Sequence, residues 1–182
     1  MAVESTMLPL GTPLPDFTLP DPDGGSHGPA NTPDAPGVLV AFMCNHCPYV
    51  QHVATAFGSL ARQWASDGLA VLAVNANDVS AYPDDAPELM GPFAKQHGWD
   101  FPYLVDESQE VARAYRAACT PDFFLFDRDR RLVYRGRLDA SRPGSGIPVT
   151  GEELAAAVTA VLSGTPVPDQ QRPSIGCSIK WK

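Results

Sequence analysis

The stretch VLVAFMCNHCPYV, residues 38–50, decides how this chain folds. Val38 to Met43 is an unbroken apolar run of strand length, preceded by Gly37. Such a run suits a central strand buried on both faces. Beyond the motif, Val50, Val53, Ala54, Phe57, Leu60, Ala61 and Trp64 recur at helical spacing. They form one apolar face of an amphipathic helix. Pro48 stands at its start, where a missing N–H costs little, and Gly68 marks its end. Leu69 to Asn75, LAVLAVN, reads as a second buried strand. Strand, helix and strand with short joins imply a parallel pair.

Cys44 and Cys47 fall at the junction of the first strand and the helix. Sites form at strand ends in open α/β sheets. A helix N-terminus offers unpaired N–H groups and a dipole that favour an anion. A thiolate there is stabilised, with a pKa in such motifs of roughly 3.5–7.5 against about 8.5 for a free thiol. The expectation is that Cys44 is the outer, attacking thiolate. Cys47, three residues on, would then resolve the mixed disulfide. Asn45 and His46 lie between them, and a protonated His46 would favour the reduced form and tune the potential. The expected chemistry is thiol-disulfide exchange through this dithiol, with no cofactor and no metal.

Working outward, residues 1–37 are rich in Pro and Gly, with Phe17 to Leu19 a short candidate strand. Downstream, Asn77 to Asp85 reads as a loop and Leu89 to His97 as a helix. Phe101 to Val105 reads as a short strand, and a further helix carries Val111, Ala112 and Tyr115. Asp122–Asp127 and Arg131–Arg137 form an antiparallel hairpin. The last helix carries Leu154, Ala157, Val158, Val161 and Leu162. Asp139, Ser141, Arg142 and Pro143 form a polar loop after the hairpin, read as a solvated turn in preference to a substrate contact. His52 and His97 read as surface or core-edge residues. Val167 to Lys182 reads as an irregular tail, docked through Ile179 and Trp181. The order predicts one domain over residues 1–182, an α/β sandwich with a mixed sheet.

The 182 residues carry 21 acidic and 13 basic side chains, a formal charge of −8. That argues against a nucleic-acid or anionic-membrane partner. No apolar run reaches membrane-spanning length, and no basic stretch followed by an apolar core opens the chain. The expected compartment is therefore the cytoplasm. Four cysteines, Cys44, Cys47, Cys119 and Cys177, are too few for a disulfide scaffold.

GTPLPDFTLPDPDG, CNHCPYV, CTPDFFLFD, the hairpin DFFLFDRDRRLVYRGR and the tail GCSIKWK together resemble the thioredoxin-like superfamily. The resemblance is to its redoxin branch, alongside the alkyl hydroperoxide reductase-like proteins, and it covers nearly the whole chain. It implies a thioredoxin-like three-layer sandwich with an N-terminal extension and a helical insertion. It implies that Thr120–Pro121 is the family's cis-proline position, beside the cysteines, with the Thr120 backbone open to an extended substrate. The implied partners are a disulfide-containing protein or a small thiol, and a thiol-based electron donor, in an antioxidant role. Thioredoxin's buried acid is not evident here. Asp78 and Glu88 are its candidate substitutes.

A peroxidase of the peroxiredoxin type is the rival reading. Its Pro and Thr should stand seven and three residues before the reactive cysteine. Those positions hold Gly37 and Ala41 in one frame, and Val40 and Cys44 in the other. A third reading joins all four cysteines in a structural zinc or redox-sensing site. Cys119 and Cys177 are also candidates for a second dithiol that passes electrons to the first.

Overall fold

A computed structural model describes residues 1–182. The chain opens with β1 (Ala2–Glu4), β2 (Leu19–Pro20) and β3 (Ser26–His27), then runs into β4 (Val38–Phe42), α1 (Pro48–Ser66) and β5 (Ala70–Asn75). A 3-10 turn at Pro83–Asp85 leads to α2 (Pro87–Gln96), β6 (Tyr103–Val105) and α3 (Glu110–Ala114). After these come β7 (Cys119–Thr120), β8 (Asp122–Phe126), β9 (Leu132–Gly136), α4 (Glu152–Ser163) and β10 (Ile175–Ser178).

Five strands form a mixed sheet in the order β6-β5-β4-β8-β9. β4, β5 and β6 are parallel, whereas β8 and β9 run antiparallel to their neighbours. All five residues of β4 are buried because layers cover both sheet faces. Side chains alternate along a strand. Leu39, Ala41 and Met43 therefore face the layer of α1 and α4, where Val53, Phe57, Leu154 and Val158 pack. Val38, Val40 and Phe42 face α3 and the N-terminal segment, with Phe17, Tyr115 and Ile179. The outcome is the α/β sandwich with a mixed central sheet that the element order implies. No helix is long and apolar enough to cross a membrane.

Phe57 fixes α1 on the sheet. Its ring lies 5.3–6.5 Å from those of Phe123, Phe101, Trp99 and Trp64. Trp99 Nε1 also donates to the Ala54 carbonyl at 2.8 Å. One residue on, Gly58 lets this layer close, since a Cβ there would meet the His97 carbonyl oxygen at 2.3 Å.

The tail departs from the sequence reading. Residues 175–178 are not irregular but form the middle strand of a second sheet, β1-β10-β7. Cys177 stands opposite Ala2 on one side and Thr120 on the other. The segment SIGCSIK has no strong apolar alternation. It becomes a strand because backbone partners distant in sequence flank it. Ile179 is buried as expected, while Trp181 is 43% exposed beneath the Arg113 guanidinium. The short strand near residue 17 begins at Leu19 and pairs with Ser26–His27.

Candidate active site

Cys44 follows the end of β4 and Cys47 is the N-cap of α1, with Pro48 opening the helix. Both side chains are buried free thiols. The Thr120–Pro121 peptide bond is cis. Thr120 lies against both sulfurs: Cys44 Sγ is 3.3 Å from Thr120 Oγ1, and Cys47 Sγ is 3.3 Å from the Thr120 carbonyl oxygen. Cys44, Cys47, Thr120 and Pro121 thus converge, drawn together by β4, α1 and the link from β7 to β8.

The electrostatics reverse the sequence expectation for Cys44. The Cys44 thiol hydrogen-bonds Cys47, is fully buried and lies near the Asp85 carboxylate, and these hold its pKa well above that of an ordinary thiol. Cys47 accepts the hydrogen bond from Cys44. With further hydrogen bonds from the Cys177 thiol, the Val50 backbone and the Cys177 backbone, its pKa falls to about 5 despite burial. The charge therefore rests on the helix N-cap, where the dipole and backbone donors favour it. Cys44 is the donor that stabilises it.

Asp85 organises the turn between the cysteines. It is fully buried. Its Oδ1 accepts the backbone N–H groups of Asn45 and His46 at 2.7 and 3.0 Å. Its Oδ2 is 2.5 Å from His46 Nδ1 and accepts from Asn77 Nδ2 at 2.7 Å. Asn45 is held from its other side by Tyr103 Oη, which donates to Asn45 Oδ1 at 3.0 Å. The His46 ring stacks on Tyr82, with centroids 5.7 Å apart. Asp85 escaped the sequence reading because it lies forty positions from the motif, in a stretch read as loop. Neither substitute acid takes this place. Asp78 bonds Ser80, and Glu88 is exposed.

A second buried acid also escaped. Asp122 directly follows Pro121, and neither carboxyl oxygen has a hydrogen-bond partner. Full burial pushes its pKa well above the usual carboxylate range. Its place after Thr-Pro, opposite Phe42 in the sheet, was the available signal.

Cys119 and Cys177 do not form the expected pair. Cys119 stands opposite Ser178, and Cys177 opposite Thr120. Alternation sends the two side chains to opposite faces of this ladder. Cys119 is buried with Sγ 3.8 Å from the Pro121 carbonyl oxygen, and burial pushes its thiol pKa far up. Cys177 instead turns toward Cys47, and burial together with its bond to Cys47 raises its own pKa to about 11. Four cysteines therefore do not gather as a zinc site. The one set of potential metal ligands is Cys44, His46 and Asp85, whose donor atoms lie within 4.8 Å of one another. The Thr120 backbone is likewise not open as expected, because β10 pairs with it.

A CxxC motif capping the helix after a central strand, closed over by a cis-proline, on this sheet order, defines a thioredoxin-like protein of the redoxin branch. The model of the AhpC/TSA family matches residues 10–135, and the chain belongs to that family. It is 27% identical to thiol-disulfide oxidoreductase ResA of Geobacillus thermodenitrificans, over 71% of this chain and 70% of that protein. The crystal structure of an uncharacterized conserved protein from Geobacillus kaustophilus superposes with a TM-score of 0.97 at 52% identity. That match covers 100% of this chain and 97% of the other. A thiol:disulfide interchange protein from Chlorobium tepidum shares the fold, with a TM-score of 0.65 at 17% identity, over 85% and 99% of the two chains.

Proposed function

We propose that the protein is a thiol-disulfide oxidoreductase working through Cys44 and Cys47. The observation that carries this reading is the convergence of both sulfurs on Thr120 at the N-terminus of α1, each 3.3 Å from a Thr120 oxygen. The 27% identity to a protein named as a thiol-disulfide oxidoreductase agrees with it.

In the reduced protein the pair carries one proton and one negative charge. Cys44 attacks one sulfur of a substrate disulfide as Cys47 takes its proton. One substrate thiolate leaves, and Cys44 holds the other half as a mixed disulfide. Cys47 then attacks the Cys44 sulfur, passing its proton to the departing second thiol. The sum is one substrate disulfide reduced, one protein disulfide formed, one thiol and one thiolate released. A thiol-based donor reverses the protein step. His46, held by Asp85, and Asn45 tune the pair, and Thr120 and Pro121 flank the incoming disulfide. The expected compartment remains the cytoplasm.

The test is reduction of a model disulfide by the intact protein, with Cys44→Ser and Cys47→Ser. Exchange should vanish in Cys44→Ser, and a stable mixed disulfide should accumulate on Cys47→Ser. Undiminished exchange in either variant would overturn the reading. So would fast peroxide turnover with no disulfide reduction.

A further inference from the structure

A small cleft of about 30 Å³, partly open to solvent, lies between the first turns of α1, Pro121 and the loop after β9. Tyr49 and His52 from the first turns of α1, Pro121, and Ser141 and Arg142 from the loop after β9 line it. Two buried polar atoms on its wall, Ser141 Oγ and His52 Nε2, have no hydrogen-bond partner. Ser141 is only 8% exposed. The only other such atoms in the chain belong to Asp122. Buried polar atoms are normally paired, so two on one cleft point to a ligand.

The charges around the cleft say which ligand. Asp139, the acid on this wall, already accepts the N–H groups of Ser141, Thr150 and Gly151 at 2.6–2.8 Å. Arg137 is spent on Glu153 through Nε and Nη2. Arg142 is exposed, and its guanidinium makes no hydrogen bond or ion pair. The unspent groups are thus a hydroxyl, an imidazole nitrogen and a guanidinium, all able to donate. A carboxylate accepts from all three, and such charge-assisted bonds are the strong ones.

The reacting atoms fix the rest. Pro121 walls the cleft, and its neighbour Thr120 touches both sulfurs at 3.3 Å. The Thr120 strand edge, where an extended polypeptide would pair, is taken by Cys177 of β10. We infer that this cleft binds the carboxylate of a low-molecular-weight disulfide, placing its sulfurs at Cys44 and Cys47. The inference rests on the exchange activity proposed above and names its substrate class.

The experiment uses the full chain and three probes. Oxidised glutathione carries carboxylates, 2-hydroxyethyl disulfide carries none, and S-methylglutathione carries carboxylates but no disulfide. The intact protein should prefer oxidised glutathione by kcat/KM. Ser141→Ala should lower that preference about tenfold, the effect of losing one hydrogen bond to a charged group. Arg142→Gln, an exposed change that spares the core, should lower it several-fold and remove its salt dependence. S-methylglutathione should shift the NMR signals of residues 138–143. Equal rates on both disulfides, unmoved by either variant, would overturn the carboxylate site while leaving the exchange activity standing. Signal shifts at 138–143 with neither disulfide reduced would uphold the site and overturn the exchange.

Discussion

Asp85 Oδ2 lies 2.5 Å from His46 Nδ1, which ties the turn between the two cysteines to a buried carboxylate from the segment after β5. The same carboxylate takes the N–H groups of Asn45 and His46. Those amides are spent on Asp85, and its charge opposes ionisation of the Cys44 thiol. Asp85→Asn keeps the shape and removes the charge. The Cys44 thiol should then titrate at lower pH, read as thiolate absorbance across a pH series. Asp85→Ala strands the donors of Asn45, His46 and Asn77, and should destabilise the fold by about 3 kcal/mol or more in a urea melt.

Cys177 should set the reactivity of Cys47. Its thiol and its backbone are among the hydrogen bonds that lower the Cys47 pKa to about 5. Alkylation of the reduced protein should plateau above about pH 6 and fall as pH drops through about 5, because the thiolate is the nucleophile. Cys177→Ala removes one donor and should move that profile upward by about one pH unit, since one unit is about 1.4 kcal/mol and comparable to a hydrogen bond. An unmoved profile would exclude a role for this thiol.

Asp122 should make stability fall with rising pH. Its carboxyl is neutral in the fold because burial disfavours the charge, whereas the unfolded chain ionises near pH 3.9. Between those two values the folded state holds the extra proton. Stability is full below about pH 4 and declines by up to about 1.4 kcal/mol per pH unit above it, until the folded carboxyl ionises. Asp122→Asn, neutral at every pH, should flatten that slope and raise the melting temperature at pH 8. A variant with the same slope as the parent protein would refute this.

Gly176→Ala should unseat β10. A Cβ at Gly176 would lie 2.0 Å from the Thr120 carbonyl oxygen and 3.2 Å from the Pro121 nitrogen. The backbone contact is rigid, so the strand must move. Faster amide exchange across residues 175–178 and a higher Cys47 pKa are expected together. Exchange rates at 175–178 equal to those of the parent would show the strand still docked.

The central lesson lies in which contacts are local. Residues 38–50 and 69–75 specify a buried strand, a helix with Pro48 at its start and a parallel partner strand. Hydrophobic period and turn chemistry are local signals, so these elements and the position of the CxxC motif at a helix start could be read directly. Thr120–Pro121 could be found only through resemblance, because nothing nearby in the sequence links it to Cys44. Asp85, Asp122 and Cys177 could not be placed, since their roles come from contacts spanning about forty to eighty residues.

The amino-acid sequence by itself determined a strand-to-helix junction bearing two cysteines on an α/β sheet, because apolar periodicity encodes which faces must be buried. The tertiary structure alone decided which sulfur carries the charge, where Cys177 turns and what covers Thr120. Those depend on electrostatic and backbone partners that meet only once distant segments pack together.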